Sequence, residues 1–337
     1  MKETLPQIRA WIEARNPFVL ATVIQTWGSA PRRAGAHMAI HLDGTMVGSV
    51  SGGCVEGDVV KHALQAWAND SSGILDYQVS DEQAWDVGLT CGGRVQILLQ
   101  PFFTDGSAAR STAFWQEVND AIQENRGIVV AHQVADGGRP PEVVSMDDES
   151  ELASQAYTAF AHRAHLLTRI EDQEYLLEVV PPDSKLLIIG AAHVTADLVH
   201  FARQFDLQTI VIDPRGVFAE GTAFRTPPDR LVTAWPEEAL AEIELDSFTY
   251  AVTLSHQPRI DDQALQILLR SDVAYIGALG SRKSHAKRVA RLKEAGFEDE
   301  EIARIHAPVG VDIHATSARE IALSIIAQIV QVKNQYQ

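Results

Sequence analysis

The two cysteines of the chain, Cys54 and Cys91, each sit beside paired glycines rather than within an apolar run. In Ser51-Gly52-Gly53-Cys54-Val55-Glu56 the thiol falls where a strand gives way to a helix. A helix start favours a thiolate, and paired glycines permit a nest of backbone N–H groups around an anion. Thr90-Cys91-Gly92-Gly93-Arg94 repeats the pairing ahead of a strand. There is no Cys-x-x-Cys, which excludes a zinc site built from cysteines, and in a reducing compartment both residues are expected as thiols. A third loop, Gly28-Ser29-Ala30-Pro31-Arg32-Arg33-Ala34-Gly35, sets two guanidinium groups and a hydroxyl between strands, a donor set suited to an oxyanion. The expected thiol-lined anion site therefore comprises Ser29, Arg32, Arg33, Gly35, Ser51, Gly52, Gly53, Cys54, Glu56, Cys91, Gly92 and Gly93.

The second half carries a different chemistry. Gly190-Ala191-Ala192-His193-Val194-Thr195 joins a buried strand to a helix, the setting of a dinucleotide-binding turn. Asp213 ends the next strand, where a ribose hydroxyl would be held, and Arg215 is placed to meet a 2′-phosphate. Gly190, Ala192, His193, Asp213 and Arg215 are thus the expected nucleotide-binding residues. Ala192 stands where a second glycine would let the pyrophosphate approach, which counts against tight NAD(P) binding. Ser281 and Arg282 open the densest basic stretch, after a strand and Gly280, and form a second expected anion contact at the carboxyl end of the sheet. No Ser-His-Asp arrangement or metalloprotease motif is visible, so no catalytic residue is assigned.

The elements that must hold these loops follow from periodicity. Residues 18–25, 37–42, 46–51 and 94–102 read as short strands, with Asp43-Gly44 as a hairpin turn and 55–67 as a helix. His37 and His41 share one strand face and read as a packed or exposed pair. Residues 104–150 are looser, and Pro181-Pro182 marks a boundary. Beyond it, strands at 186–190, 209–213, 248–255 and 273–279 alternate with helices, and Ser317 with Glu320 forms a capping box for the last one. The expectation is an α/β fold in two domains: an N-terminal α/β domain, 1–180, and a C-terminal Rossmann-like doubly wound parallel sheet, 185–337.

Composition narrows the classes. Lys and Arg number 28 against 45 Asp and Glu, a formal charge of −17 over 337 residues. Such a surface repels nucleic acid and anionic lipid, so neither partner is expected. No apolar run approaches the roughly 20 residues of a membrane span, and the opening residues lack a signal-peptide pattern, so a cytoplasmic location is expected.

GSAPRRAGAHM (28–38), DGTMVGSVSGGCVEGDVV (43–60) and TCGGRV (90–95) resemble the N-terminal domain of the XdhC/CoxI family of xanthine dehydrogenase accessory proteins. LLIIGAAHVTADL (186–198), VIDPRGVF (211–218), TLSHQ (253–257), YIGALGSRKS (275–284) and APVGVDIHATSAREIALSI (307–325) resemble its C-terminal Rossmann domain. The family's Gly-x-Gly is Gly190-x-Ala192 here, and His314 replaces a usual glycine. The resemblance implies a chaperone that holds the molybdenum cofactor (molybdopterin), supports its sulfuration with a cysteine desulfurase, and inserts it into xanthine dehydrogenase or a related molybdenum hydroxylase. It implies that Arg32, Arg33 and the glycine amides hold phosphate or pterin oxygens, and that Cys54 or Cys91 contacts molybdenum or relays sulfur. A homodimer is the expected assembly. The client enzyme and the cofactor form, molybdopterin or its cytosine dinucleotide, stay open. The rival reading is an NAD(P)-dependent oxidoreductase acting on a small substrate.

Overall fold

Residues 18–23 are buried without a break because β1 (Phe18–Gly28) runs through the middle of a sheet covered on both faces. The computed structural model describes residues 1, 4–28, 32–79, 93–104, 107–216, 224 and 226–334. Around β1, strands β2 (His37–His41), β3 (Met46–Gly48), β4 (Gly73–Val79) and β5 (Gly93–Phe102) form an antiparallel sheet ordered β3-β2-β1-β5-β4. Successive side chains point to opposite faces. Phe18 and Leu20 pack with Ile8 and Trp11 of α1 (Leu5–Glu13) and with Trp115 of α3 (Ala108–Gln123). Val19, Ala21 and Val23 pack with Val59 and Ala63 of α2 (Glu56–Ala68). Asp43 closes the β2–β3 hairpin, its carboxylate accepting from the Thr45 amide at 2.8 Å.

A second antiparallel sheet, ordered β7-β6-β9-β8, is built from β6 (Ile128–Gln133), β7 (Glu142–Val143), β8 (Leu166–Ile170) and β9 (Gln173–Val180). Before β8, α4 (Glu151–Ala161) starts on Ser150, whose hydroxyl accepts from the Ala153 amide. These elements belong to one compact unit, Met1–Pro182, and Asp183–Gln337 forms another.

The second unit is the expected parallel sheet with helices on both faces. Its order is β12-β11-β10-β13-β14-β15, with β10 (Ser184–Ile189), β11 (Leu207–Ile212), β12 (Arg230–Val232), β13 (Thr249–Thr253), β14 (Tyr275–Ala278) and β15 (Ile305–His306). That is the 3-2-1-4-5-6 order of a Rossmann sheet, which reverses between β10 and β13. Leu186 and Ile188 face α5 (His193–Ala202) and α10 (Ala318–Asn334). Leu187 and Ile189 face α7 (Pro258–Leu268), with Leu292 of α8 (Arg282–Glu294) in the same cluster. The Ser317–Glu320 box forms: the Glu320 carboxylate accepts from the Ser317 amide at 2.8 Å, and Ser317 Oγ accepts from Glu320 N. No helix among the described residues is long and apolar enough to cross a membrane.

A buried polar network ties the two antiparallel sheets together. Thr22 Oγ1 lies 3.1 Å from His37 Nδ1, and His37 Nε2 donates to Glu178 Oε1 at 2.7 Å. His132 Nε2 donates to Glu178 Oε2 at 3.0 Å, and its Nδ1 lies 2.8 Å from Gln100 Oε1. So His37 and His41 are not alike: His37 is buried on Glu178, while half-buried His41 pairs with exposed Asp43. Burial pulls the His37 imidazole down to about 4, against the opposing pull of Glu178. Burial pushes the Glu178 carboxyl up, but the charge and hydrogen bonds of the two histidines hold it well below the usual range. Both shifts run the same way. A depressed histidine contributes fully above its unfolded value near 6.5 and loses that contribution as the pH falls towards 4. The depressed Glu178 adds a further loss below its unfolded value near 4.5. Urea unfolding across this range is expected to show His37 alone removing on the order of 3 kcal/mol between pH 7 and pH 4. A His37→Gln variant is expected to have a flatter profile, and an equally steep one would contradict this account.

Candidate functional site

The Ser51–Glu56 loop is organised from beneath by its own carboxylate. Glu56, the first residue of α2, is buried, and its oxygens accept from Ser49 Oγ at 2.7 Å, Ser51 N at 2.9 Å, Gly53 N at 2.9 Å and Val55 N at 3.2 Å. Ser51 Oγ also donates to it. Ser51 Oγ in turn accepts from the amides of Cys54 and Val55, both at 3.0 Å, and Ser49 Oγ accepts from Gly52 N at 2.8 Å. Burial alone would raise the Glu56 carboxyl, yet the donors from Ser51 and Ser49 bring it down to about 2. The expected open nest of amides is therefore closed. Gly52, Gly53, Cys54 and Val55 turn their N–H groups onto acceptors within the loop. Glu56 shapes the loop rather than presenting its charge outward. What the loop does present is the exposed Cys54.

The expected strand over 46–51 ends early for the same reason. β3 stops at Gly48, and the next residues turn in towards Glu56. Ser49 thereby joins the site, although sequence reasoning passed over it. Its carbonyl accepts from Arg32 Nε at 3.2 Å, which fastens the arginine loop to the cysteine loop. Arg32 is half-buried there, and Arg33 is exposed. Gly28 at the end of β1 pairs with Gly93 at the start of β5. Arg94, next along β5, lies over the Trp27 ring at 4.5 Å and pairs with Asp76. Gly35 N donates to Val23 O at 2.8 Å, returning its loop to β1. The arginine and cysteine loops thus meet through the Arg32–Ser49 hydrogen bond. Ser29, Cys91 and Gly92 lie outside the described residues.

The first turn of the Rossmann unit is also closed on itself. Gly190 has φ +107°, and a Cβ there would stand 2.5 Å from the Ser255 backbone, so glycine is required. Ala191 N donates to Asp213 Oδ2 at 2.8 Å, and Ala192 N donates to Thr195 Oγ1 at 3.1 Å. Thr195 Oγ1 donates to Gly190 O at 2.6 Å. Arg215 grips both oxygens of Asp213, Nε at 2.9 Å and Nη2 at 2.6 Å. Burial pushes the Asp213 carboxyl up, but the donors of Arg215 and Ala191 hold it below the usual range. A ribose hydroxyl would have to displace one of these partners. Of the residues expected here, exposed His193 begins α5, and Ala192 is its N-cap. Ser281 caps α8 and accepts from Ser284 N at 3.2 Å, and Arg282 is exposed beside it. Among the described residues, no cluster of three or more His, Cys, Asp or Glu side chains is arranged to hold a metal ion.

The geometry defines a two-unit α/β protein: one unit displays a thiol and guanidinium groups on glycine loops, and the other is a Rossmann unit whose first turn is internally satisfied. Residues 11–78 match the XdhC and CoxI family, and residues 186–329 match the XdhC Rossmann domain. The chain belongs to the XdhC/CoxI family. It is 25% identical to a Bacillus subtilis protein named as a probable xanthine dehydrogenase subunit, over 96% of both chains. It is 26% identical to the molybdenum cofactor insertion chaperone PaoD of Escherichia coli, over 94% of this chain and 83% of that one. A solved structure from Bacillus halodurans, described as a xanthine dehydrogenase, shares the fold with a TM-score of 0.67 at 24% identity, covering 99% of this chain and 97% of that one.

Because Glu56 accepts several hydrogen bonds as a buried anion, its removal costs more than removal of any one donor. Glu56→Ala is expected to lower the unfolding free energy by roughly 2–3 kcal/mol, against about 1 kcal/mol for Ser49→Ala. Urea unfolding of the two variants at neutral pH measures the difference, and equal losses would contradict the assignment.

Proposed function

We propose that the chain is an accessory protein that holds the molybdenum cofactor as cargo and inserts it into a molybdenum hydroxylase of the xanthine dehydrogenase type. The observation that carries this reading is the meeting of the cysteine and arginine loops. Exposed Cys54 rides on a loop locked by Glu56, and Arg32 is tied to the same loop through Ser49. A thiol offers a soft donor to a thiophilic metal centre or to sulfur, and guanidinium groups suit phosphate or pterin oxygens. Family membership and the names of the relatives from Bacillus subtilis and Escherichia coli supply the class of cargo and client. Sulfuration of the bound cargo, with a cysteine desulfurase as sulfur source, belongs to the same reading, with Cys54 or Cys91 as the relaying thiol. Holding and transferring a cargo requires no turnover.

The test is retention of the cargo. Protein purified from cells that make molybdopterin is oxidised and its pterin fluorescence read, with Cys54→Ala and Arg32→Ala alongside. Near-stoichiometric pterin in the unaltered protein, falling severalfold in one or both variants, is expected. Absence of pterin even after incubation with released cofactor would overturn the proposal.

A further inference from the structure

The outward face of α7 lines a cavity of about 890 Å³ in the Rossmann unit. Glu237 of α6 (Pro236–Ala241) borders it on one side and Arg291 of α8 on another. Half-buried Leu245 and Ile267 form an apolar floor and pack on the core beneath. Three guanidinium groups, Arg259, Arg270 and Arg291, stand on the lining against two carboxylates, Glu237 and Asp262. The lining is thus net positive on a chain whose formal charge is −17.

Both carboxylates are engaged within the wall. Asp262 holds Arg291 through both its oxygens, one of them accepting from Nη2 at 2.9 Å. Glu237 Oε2 accepts from Gln263 Nε2 at 3.2 Å. The other two guanidinium groups are fixed on aromatic rings instead. Arg259 lies over the Trp235 ring at 4.5 Å, and Arg270 lies over the Phe297 ring at 4.9 Å. Stacking holds a planar guanidinium by its face and leaves its N–H edge for an acceptor. Both arginines are exposed, and neither has a hydrogen-bond or ion-pair partner among the described residues.

The spacing of the two sets the length of the occupant. From 259 to 270 the chain makes close to three helical turns, which brings both residues to one face about 16 Å apart. An extended peptide, advancing about 3.3 Å per residue, covers that distance in about five residues. A small carboxylate would reach one guanidinium and leave the other unused. Nucleic acid would also meet the acidic remainder of the surface, which repels its phosphates. We propose that this cavity docks an extended acidic segment of a partner protein, with carboxylates about five residues apart seated on Arg259 and Arg270. Rings that hold the guanidinium groups in place lower the ordering cost of such an interface. The surface lies on the Rossmann unit and uses none of the residues of the thiol and arginine loops.

The experiment is fluorescence anisotropy on the full chain at low ionic strength, with fluorescein-labelled hexaglutamate, hexaserine and hexathymidylate as probes. Saturable binding of hexaglutamate, weakened by added salt and absent for hexaserine, is expected. The double variant Arg259→Gln, Arg270→Gln is expected to weaken it roughly tenfold or more, with the melting temperature nearly unchanged because both side chains are exposed. Absence of saturable hexaglutamate binding by the unaltered chain, or unchanged binding in the double variant, would overturn the proposal. So would hexathymidylate binding as tightly as hexaglutamate, or an equal loss in Lys283→Gln, a basic residue outside the lining. Pterin retention tests the accessory function separately, so either proposal can fail while the other stands.

Discussion

The buried carboxylate of Glu56 is the constraint on which the N-terminal site depends. It sits at the first turn of α2, where exposed amides and the helix dipole favour a negative charge, and it collects donors from Ser49, Ser51, Gly53 and Val55. Each donor fixes one point of a glycine-rich segment that would otherwise cost much conformational entropy to order. With the backbone fixed, Cys54 projects outward and Ser49 turns its carbonyl towards Arg32. The cysteine and arginine loops are thereby coupled through a single carboxylate and two serines.

The Rossmann unit repeats this device with a different outcome. Asp213 takes the Ala191 amide and the Arg215 fork, and Thr195 takes the Ala192 amide, so the turn at Gly190 is rigid and internally satisfied. A pyrophosphate would compete with partners already in place. A Rossmann sheet thus does not by itself imply a bound dinucleotide.

How much of this was legible in the sequence depended on the distance over which the information is carried. The strand–helix alternation after residue 184 pointed to the parallel sheet, because each strand there is a short apolar run bounded by its own turn. The Asp43-Gly44 hairpin and the Ser317–Glu320 box are set within four residues and were equally plain. The N-terminal unit was harder to read. β4 and β8 are partly buried strands with mixed composition, and the sheets are completed by antiparallel pairings distant in sequence. His37 and Glu178 lie 141 positions apart, so nothing near His37 announces its partner. At the site, the glycine, cysteine and arginine residues stood out by type. The inward role of Glu56 did not, because the same carboxylate in the same motif reads equally well as a ligand until the directions of the loop amides are known.

Delivery of a held cofactor is tested most directly by transfer. Cofactor-loaded chain is mixed with an apo molybdenum hydroxylase of the xanthine dehydrogenase type, and the recovered hydroxylase activity is followed. Activity is predicted to rise with the amount of loaded chain, with a smaller recovery when the donor carries Cys54→Ala. Recovery from loaded chain no greater than from chain without cofactor would contradict the delivery role.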